Sequence, residues 1–92
     1  MWYIYVMALE FTDSASKHGI PHEDAIYAIL HAVGTETVQG HLGQEARVFV
    51  GHPRSQTDRY IEVIAAKRGN VFRIFHVMPL SDLYRHLVRR KS

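Results

Sequence analysis

Two runs of β-forming residues, Arg59 to Ala66 and Val71 to Met78, stand only four residues apart across Lys67-Arg68-Gly69-Asn70. Parallel pairing needs a crossover of about a dozen residues, so a gap this short permits only an antiparallel hairpin. Gly69 supplies the positive φ that the turn needs. Upstream, Thr35 to Gln39 and Ala46 to Gly51 flank the turn residues Gly40-His41-Leu42-Gly43 and extend the same local pairing into a meander. A polar loop, His52-Pro53-Arg54-Ser55-Gln56-Thr57-Asp58, leads into Arg59.

The ends of the chain read differently. A strand over Tyr3 to Phe11 is followed by Thr12 or Asp13 as the cap of a short helical turn, Ser14 to Lys17, which Gly19 closes. Pro21 suits a first helical position, Glu23 and Asp24 favour the positive end of a helix dipole, and Ala25, Ile26, Ile29, Leu30 and Val33 recur at helical spacing before Gly34. Pro79 ends the last strand. Ser81 then caps a final helix, with Asp82 in its first turn and Arg85, His86, Arg89 and Arg90 toward its end. The order β-α-α-β-β-β-β-α predicts an α+β fold: an antiparallel four- to five-stranded sheet, two N-terminal helices packed on one face, and a short C-terminal helix.

With 92 residues, 47% of them apolar, the chain makes one domain over 1–92 with enough material for a core. Residues 1–6 are either an added strand or a leader, with Met7 as the alternative start. The absence of cysteine excludes a disulfide scaffold, a thiolate metal site and a thiol nucleophile. No apolar run approaches the ~20 residues of a membrane span. A cytoplasmic location and no membrane partner are expected.

Charge is segregated. Residues 1–46 carry one base and six acids, a formal −5, whereas residues 47–92 carry ten bases and three acids, a formal +7. A strand-rich, arginine-dominated half of this kind is suited to phosphates. Alternation places Arg73 with Val71, Phe75 and Val77, and His76 with Phe72, Ile74 and Met78. Arg59 and Arg73 offer planar guanidinium forks, and the imidazoles of His52 and His76 can exchange protons near neutrality. Tyr60, Phe75 and Tyr84 can stack on unpaired bases. Arg47, Arg54, Arg85 and Arg89 complete a candidate RNA-binding set in which phosphate contacts position the strand. The structural alternative pairs Arg73 or Arg59 with Glu62 across the hairpin and makes His76 a hydrogen-bonded core residue. No metal site is expected, because Gly19 and Pro21 break the helix that would align His18 and His22.

Lys17-His18-Gly19-Ile20, followed by Glu23-Asp24-Ala25, resembles the opening of BrnT-like toxins of bacterial type II toxin–antitoxin systems. The likeness continues through Arg47-Val48-Phe49-Val50-Gly51, Arg59-Tyr60-Ile61-Glu62-Val63 and Gly69-Asn70-Val71-Phe72-Arg73-Ile74-Phe75 to His76-Val77-Met78-Pro79. This resemblance implies a RelE-like fold and a metal-independent endoribonuclease, without cofactor, that blocks translation. Carried onto this chain, its catalytic candidates are Arg59, Arg73, Glu62 and His76. It also implies a cognate antitoxin, a small DNA-binding repressor, and RNA met free or on the ribosome; a homodimer is a further expected state. Where the family has an Ile-Ser-Ala-Arg-like strand, this chain has Phe75-His76-Val77-Met78-Pro79, so His76 stands in for chemistry carried differently elsewhere. The alternative is a non-catalytic module of the same fold that binds RNA or protein.

Overall fold

The β4–β5 hairpin lies at the centre of the structure, a computed structural model that describes residues 8–39 and 45–88. Strand β4 (Ile61–Arg68) and strand β5 (Val71–Pro79) pair antiparallel, and Gly69 turns between them at φ 60°. Strand β3 (Glu45–Gly51) pairs antiparallel with β4, and β2 (Gly34–Gln39) with β3. The remaining strand, β1 (Ala8–Phe11), lies on the far side of β5. The five-stranded order is therefore β1-β5-β4-β3-β2.

β1 corrects the expected all-antiparallel sheet, because it runs parallel to β5 and makes the sheet mixed. Between β1 and β2 the chain passes through a 3-10 turn, η1 (Asp13–Ser16), and the α-helix α1 (His22–Leu30), and so reaches the opposite edge before the meander begins. The meander returns β5 beside β1 in the same direction. Of the two N-terminal helices expected, α1 alone is an α-helix, and the C-terminal element η2 (Asp82–Leu87) is also 3-10. α1 ends at Leu30, short of Val33, because the Val33 N–H bonds to the Val50 carbonyl and draws the chain into the sheet. The turn at Gly40 to Gly43, the strand residues before Ala8 and the basic residues Arg89 and Arg90 lie outside the described residues.

Register divides the sheet into two faces. Phe49, Ile61, Val63, Ala65, Phe72, Ile74 and Val77 form one core with Ala25, Ala28 and Ile29 of α1. Small residues let the helix lie close: a methyl group on Gly51 would press on the Ala28 carbonyl. The opposite face carries Ala46, Val48, Val50, Glu62 and Ala66, all buried. η2 lies against it at the β2 side, where a methyl group on Gly34 would fall on the Leu87 backbone. Among the described residues no helix is long and apolar enough to cross a membrane.

A β-bulge sets the faces of β5. The ladder pairs Ile64 with His76, then Ala65 with Ile74, leaving Phe75 unpaired. The extra residue inverts the alternation, so Phe72 and Ile74 share the core with Val77, while Arg73 shares the other face with His76 and Met78. Simple alternation had divided Arg73 from His76. The bulge forms where β1 ends and η1 takes over. There the Ile74 carbonyl accepts the Thr12 N–H at 3.0 Å and the Phe75 carbonyl accepts the Ser14 hydroxyl at 2.7 Å.

Candidate active site

Glu62 is the second residue of β4 and lies on the sheet face opposite α1, only 2% exposed. A buried carboxylate is costly to desolvate unless its oxygens are hydrogen-bonded. Here three donors meet it. Oε1 accepts the Ser81 N–H at 2.8 Å and the Ser81 hydroxyl at 2.7 Å. Oε2 accepts Nε2–H of His76 at 2.8 Å.

That last bond defines the chemistry available to His76. With the proton of neutral imidazole held on Nε2 by the carboxylate, Nδ1 is left as the basic nitrogen. The His76 side chain keeps 30% exposure, so one edge of the ring is sheltered on Glu62 while part of it reaches solvent. An oriented imidazole with a carboxylate behind it is the arrangement used for general acid–base transfer. Ser81 is not its nucleophile, because the Ser81 hydroxyl bonds the carboxylate rather than the imidazole. Ser81 does sit at the N-cap position of η2, yet its side chain makes no capping bond, its hydroxyl being held by Glu62.

Tyr84 of η2 borders the same carboxylate. Its phenol is pushed above the ordinary 10.0 by burial first, then by the negative charges of Glu62 and Glu36. It therefore stays protonated at neutral pH. Beyond it, Nε2 of His86 lies 2.7 Å from Glu36, an exposed glutamate–histidine pair that ties η2 to β2.

Arg73 stands two rungs along the ladder from His76, opposite Ala66 where His76 is opposite Ile64. Their backbone positions are thus about 7 Å apart on one face. Its Nε donates to Glu10 of β1 at 3.1 Å, and both side chains are about half exposed. The structural alternative is met in part: His76 is hydrogen-bonded, though its side chain is 30% exposed rather than in the core. Glu62 pairs with neither Arg59, which stays exposed in the loop, nor Arg73, which bonds Glu10. An exposed pair of this kind contributes about 0–1 kcal/mol and weakens with salt, which leaves the guanidinium open to competition by phosphate.

The other sequence candidates are dispersed. Arg59 precedes β4 and is exposed in the loop; its N–H bonds the Thr57 hydroxyl, and its carbonyl accepts Nδ1–H of His52 at 2.7 Å. His52 also stacks on Tyr60, ring centroids 4.2 Å apart. This loop meets the Glu62 end of the sheet, since the Leu80 N–H bonds the Tyr60 carbonyl. Arg54 reaches Asp24 of α1 at 3.6 Å. Arg85 pairs within η2 with Asp82 at 2.6 Å. Arg47 pairs across the ladder with Ala65 and so belongs to the α1 face, where it donates to Thr35. Arg89 lies outside the described residues. Among the described residues no three metal-ligating side chains converge.

The family resemblance groups Arg59, Arg73, Glu62 and His76, whereas simple strand alternation separates Arg73 from His76. The structure brings Glu62, His76 and Arg73 to one face and leaves Arg59 in the loop. It surrounds the site with Ser81, Glu10, Glu36 and His86, which neither reading indicates. Ser81 is 19 residues from Glu62 and Glu10 is 63 from Arg73, and no short-range pattern announces either contact. No protein-family model matches the chain, no curated protein matches it, and no solved structure matches it.

Proposed function

We propose that this chain is the toxin of a bacterial toxin–antitoxin pair, a RelE-like, metal-independent endoribonuclease in which His76 moves the proton. The observation that supports the reading best is the Glu62–His76 pair on the same sheet face as Arg73. His76 Nδ1 removes the proton from a ribose 2′-hydroxyl, and the 2′-oxygen attacks the adjacent phosphorus. The bond to the 5′-oxygen breaks, a 2′,3′-cyclic phosphate forms, and the imidazolium returns its proton to the leaving oxygen. Glu62 orients the ring through its bond to Nε2. Arg73 balances the charge that builds on the phosphoryl oxygens. Arg59, Tyr60 and His52 then line the approach of the strand, and the +7 half supplies attraction at a distance. The partner is an antitoxin, a small DNA-binding repressor, that covers the same face.

A non-catalytic RNA- or protein-binding module is the competing reading. It is favoured by the ion pairs that Arg54, Arg73 and Arg85 make with acids of their own chain. The two separate on turnover. Under the toxin reading, inducible expression arrests bacterial growth and the purified protein cuts RNA over many turnovers, while His76→Ala at matched soluble level does neither. Arrest and cutting that survive His76→Ala sink the assignment, and salt-sensitive RNA binding without cutting favours the module.

A further inference from the structure

The bulge that turns His76 toward Arg73 also opens a cleft beside it. Thr12 and Ser14 of the β1–η1 junction and Arg73 and Phe75 of β5 line about 280 Å3 of space. Pockets for whole drug-sized ligands run from about 300 to 1,000 Å3, so this cleft suits a single planar group and its immediate substituents. Its walls differ in kind. Phe75, the unpaired and part-buried bulge residue, forms one part of the wall, and Arg73, with a half-exposed side chain, forms another. The two hydroxyls lie 2.9 Å apart; Ser14 donates its proton to the Phe75 carbonyl at 2.7 Å, and the single Thr12 proton goes to Ser14 Oγ or to the Ile74 carbonyl. Their remaining lone pairs can accept from an exocyclic amine or a sugar hydroxyl.

An aromatic ring beside a cation, with hydroxyl acceptors opposite, is a combination that recognises a nucleotide: base on ring, phosphate on guanidinium. We infer that this cleft holds one unpaired nucleotide of a single-stranded RNA. Its base stacks on Phe75, and the phosphate that follows it displaces Glu10 from Arg73. The inference rests on the proposed function and deepens it, because it places the neighbouring phosphodiester at His76, the residue next to Phe75 in the chain. Glu10 then acts as an internal stand-in for phosphate, closing the site when no RNA is bound.

The test uses the full chain and a fluorescent single-stranded RNA octamer, 2′-O-methylated throughout so that it cannot be cut, with binding read by anisotropy. Phe75→Leu keeps an apolar side chain but removes the stacking face, and it weakens binding about tenfold or more. Arg73→Gln weakens it to a similar degree and flattens the salt dependence. A second measurement needs no variant: a 4-thiouridine octamer irradiated with the parent protein cross-links at Phe75, as located by mass spectrometry. Binding by Phe75→Leu within twofold of the parent, a cross-link confined to Tyr60, or no binding by the folded parent overturns the inference. If Phe75→Leu weakens binding while the parent fails to cut unmodified RNA, the nucleotide cleft stands and the catalytic reading falls.

Discussion

Glu62 and His76 do not face each other across the β4–β5 ladder: Glu62 stands opposite Met78, His76 opposite Ile64, and the 2.8 Å bond between them runs diagonally. A diagonal reach of this kind is within range of long side chains on neighbouring strands. It lets the carboxylate meet the ring edge-on while its other oxygen stays with Ser81. Among the described residues the imidazole is hydrogen-bonded from one side only.

For catalysis, that geometry predicts unequal losses. Under the proposed ribonuclease reading, His76→Ala removes the proton carrier and lowers RNA cleavage by about 10²–10⁴-fold, the usual scale of general acid–base catalysis. Glu62→Gln keeps the size and an acceptor oxygen but not the charge, and its loss is smaller. Multiple-turnover cleavage assays on the two proteins measure the difference, and equal losses would place Glu62 in the chemistry itself.

For stability, Glu62→Ala strips the acceptor from the Ser81 amide, the Ser81 hydroxyl and the His76 ring together. Buried donors left without partners cost about 1–3 kcal/mol. Urea unfolding of this variant beside Glu62→Gln separates the effect from simple loss of charge, with Gln retaining most of the stability.

Gly34→Ala tests how η2 is held. The added methyl group meets the Leu87 backbone, which has no soft side-chain end to give way. A loss of about 1–3 kcal/mol is expected. Faster amide hydrogen exchange in 82–88 than in the β3–β4 core would show that η2 is what yields.

Alkaline pH acts through Tyr84. Its phenol is raised above 10.0 in the folded protein, so between that value and the folded pKa the native state holds a proton that the unfolded chain has released. The stability from this group is complete below 10.0 and is lost as pH rises through the folded value. Thermal unfolding on either side of 10.0 reads the slope, and Tyr84→Phe makes it shallower.

Glu10→Gln releases Arg73. Because the ion pair is half exposed, unfolding free energy changes by less than about 1 kcal/mol. Affinity for single-stranded RNA rises, most at low salt, since the guanidinium no longer has an internal competitor. Anisotropy titrations at two ionic strengths check both parts.

Local features of the fold were legible from sequence and non-local ones were not. The β4–β5 hairpin, with Gly69 at φ 60°, follows from a short gap between two β-rich runs, and α1 from Pro21, Glu23, Asp24 and an apolar repeat. The parallel placement of β1 leaves no such mark, because it depends on where the whole meander ends. The bulge is equally silent: Val71 to Met78 contains no glycine or proline to announce it, and a one-residue slip there reverses which side chains share a face. That is why Arg73 and His76 were both named as candidates yet assigned to opposite faces. β4 starts at Ile61, two residues after Arg59, because the Arg59 backbone bonds belong to the loop with Thr57 and His52.

The pairing of β1 with β5 also sets an order of events during synthesis. Ala8 through Phe11 leave the ribosome among the first described residues and must wait for Val71 through Ile74 before they have a strand to join. The helix and the inner meander can assemble meanwhile from contacts close in sequence, but long-range pairing comes late. The Glu10–Arg73 contact and the cleft between η1 and β5 therefore depend on partners 61 or more residues apart in the chain. A chain cut before Val71 has no strand for β1 to join and so lacks the cleft that the β1–η1 junction and β5 line together.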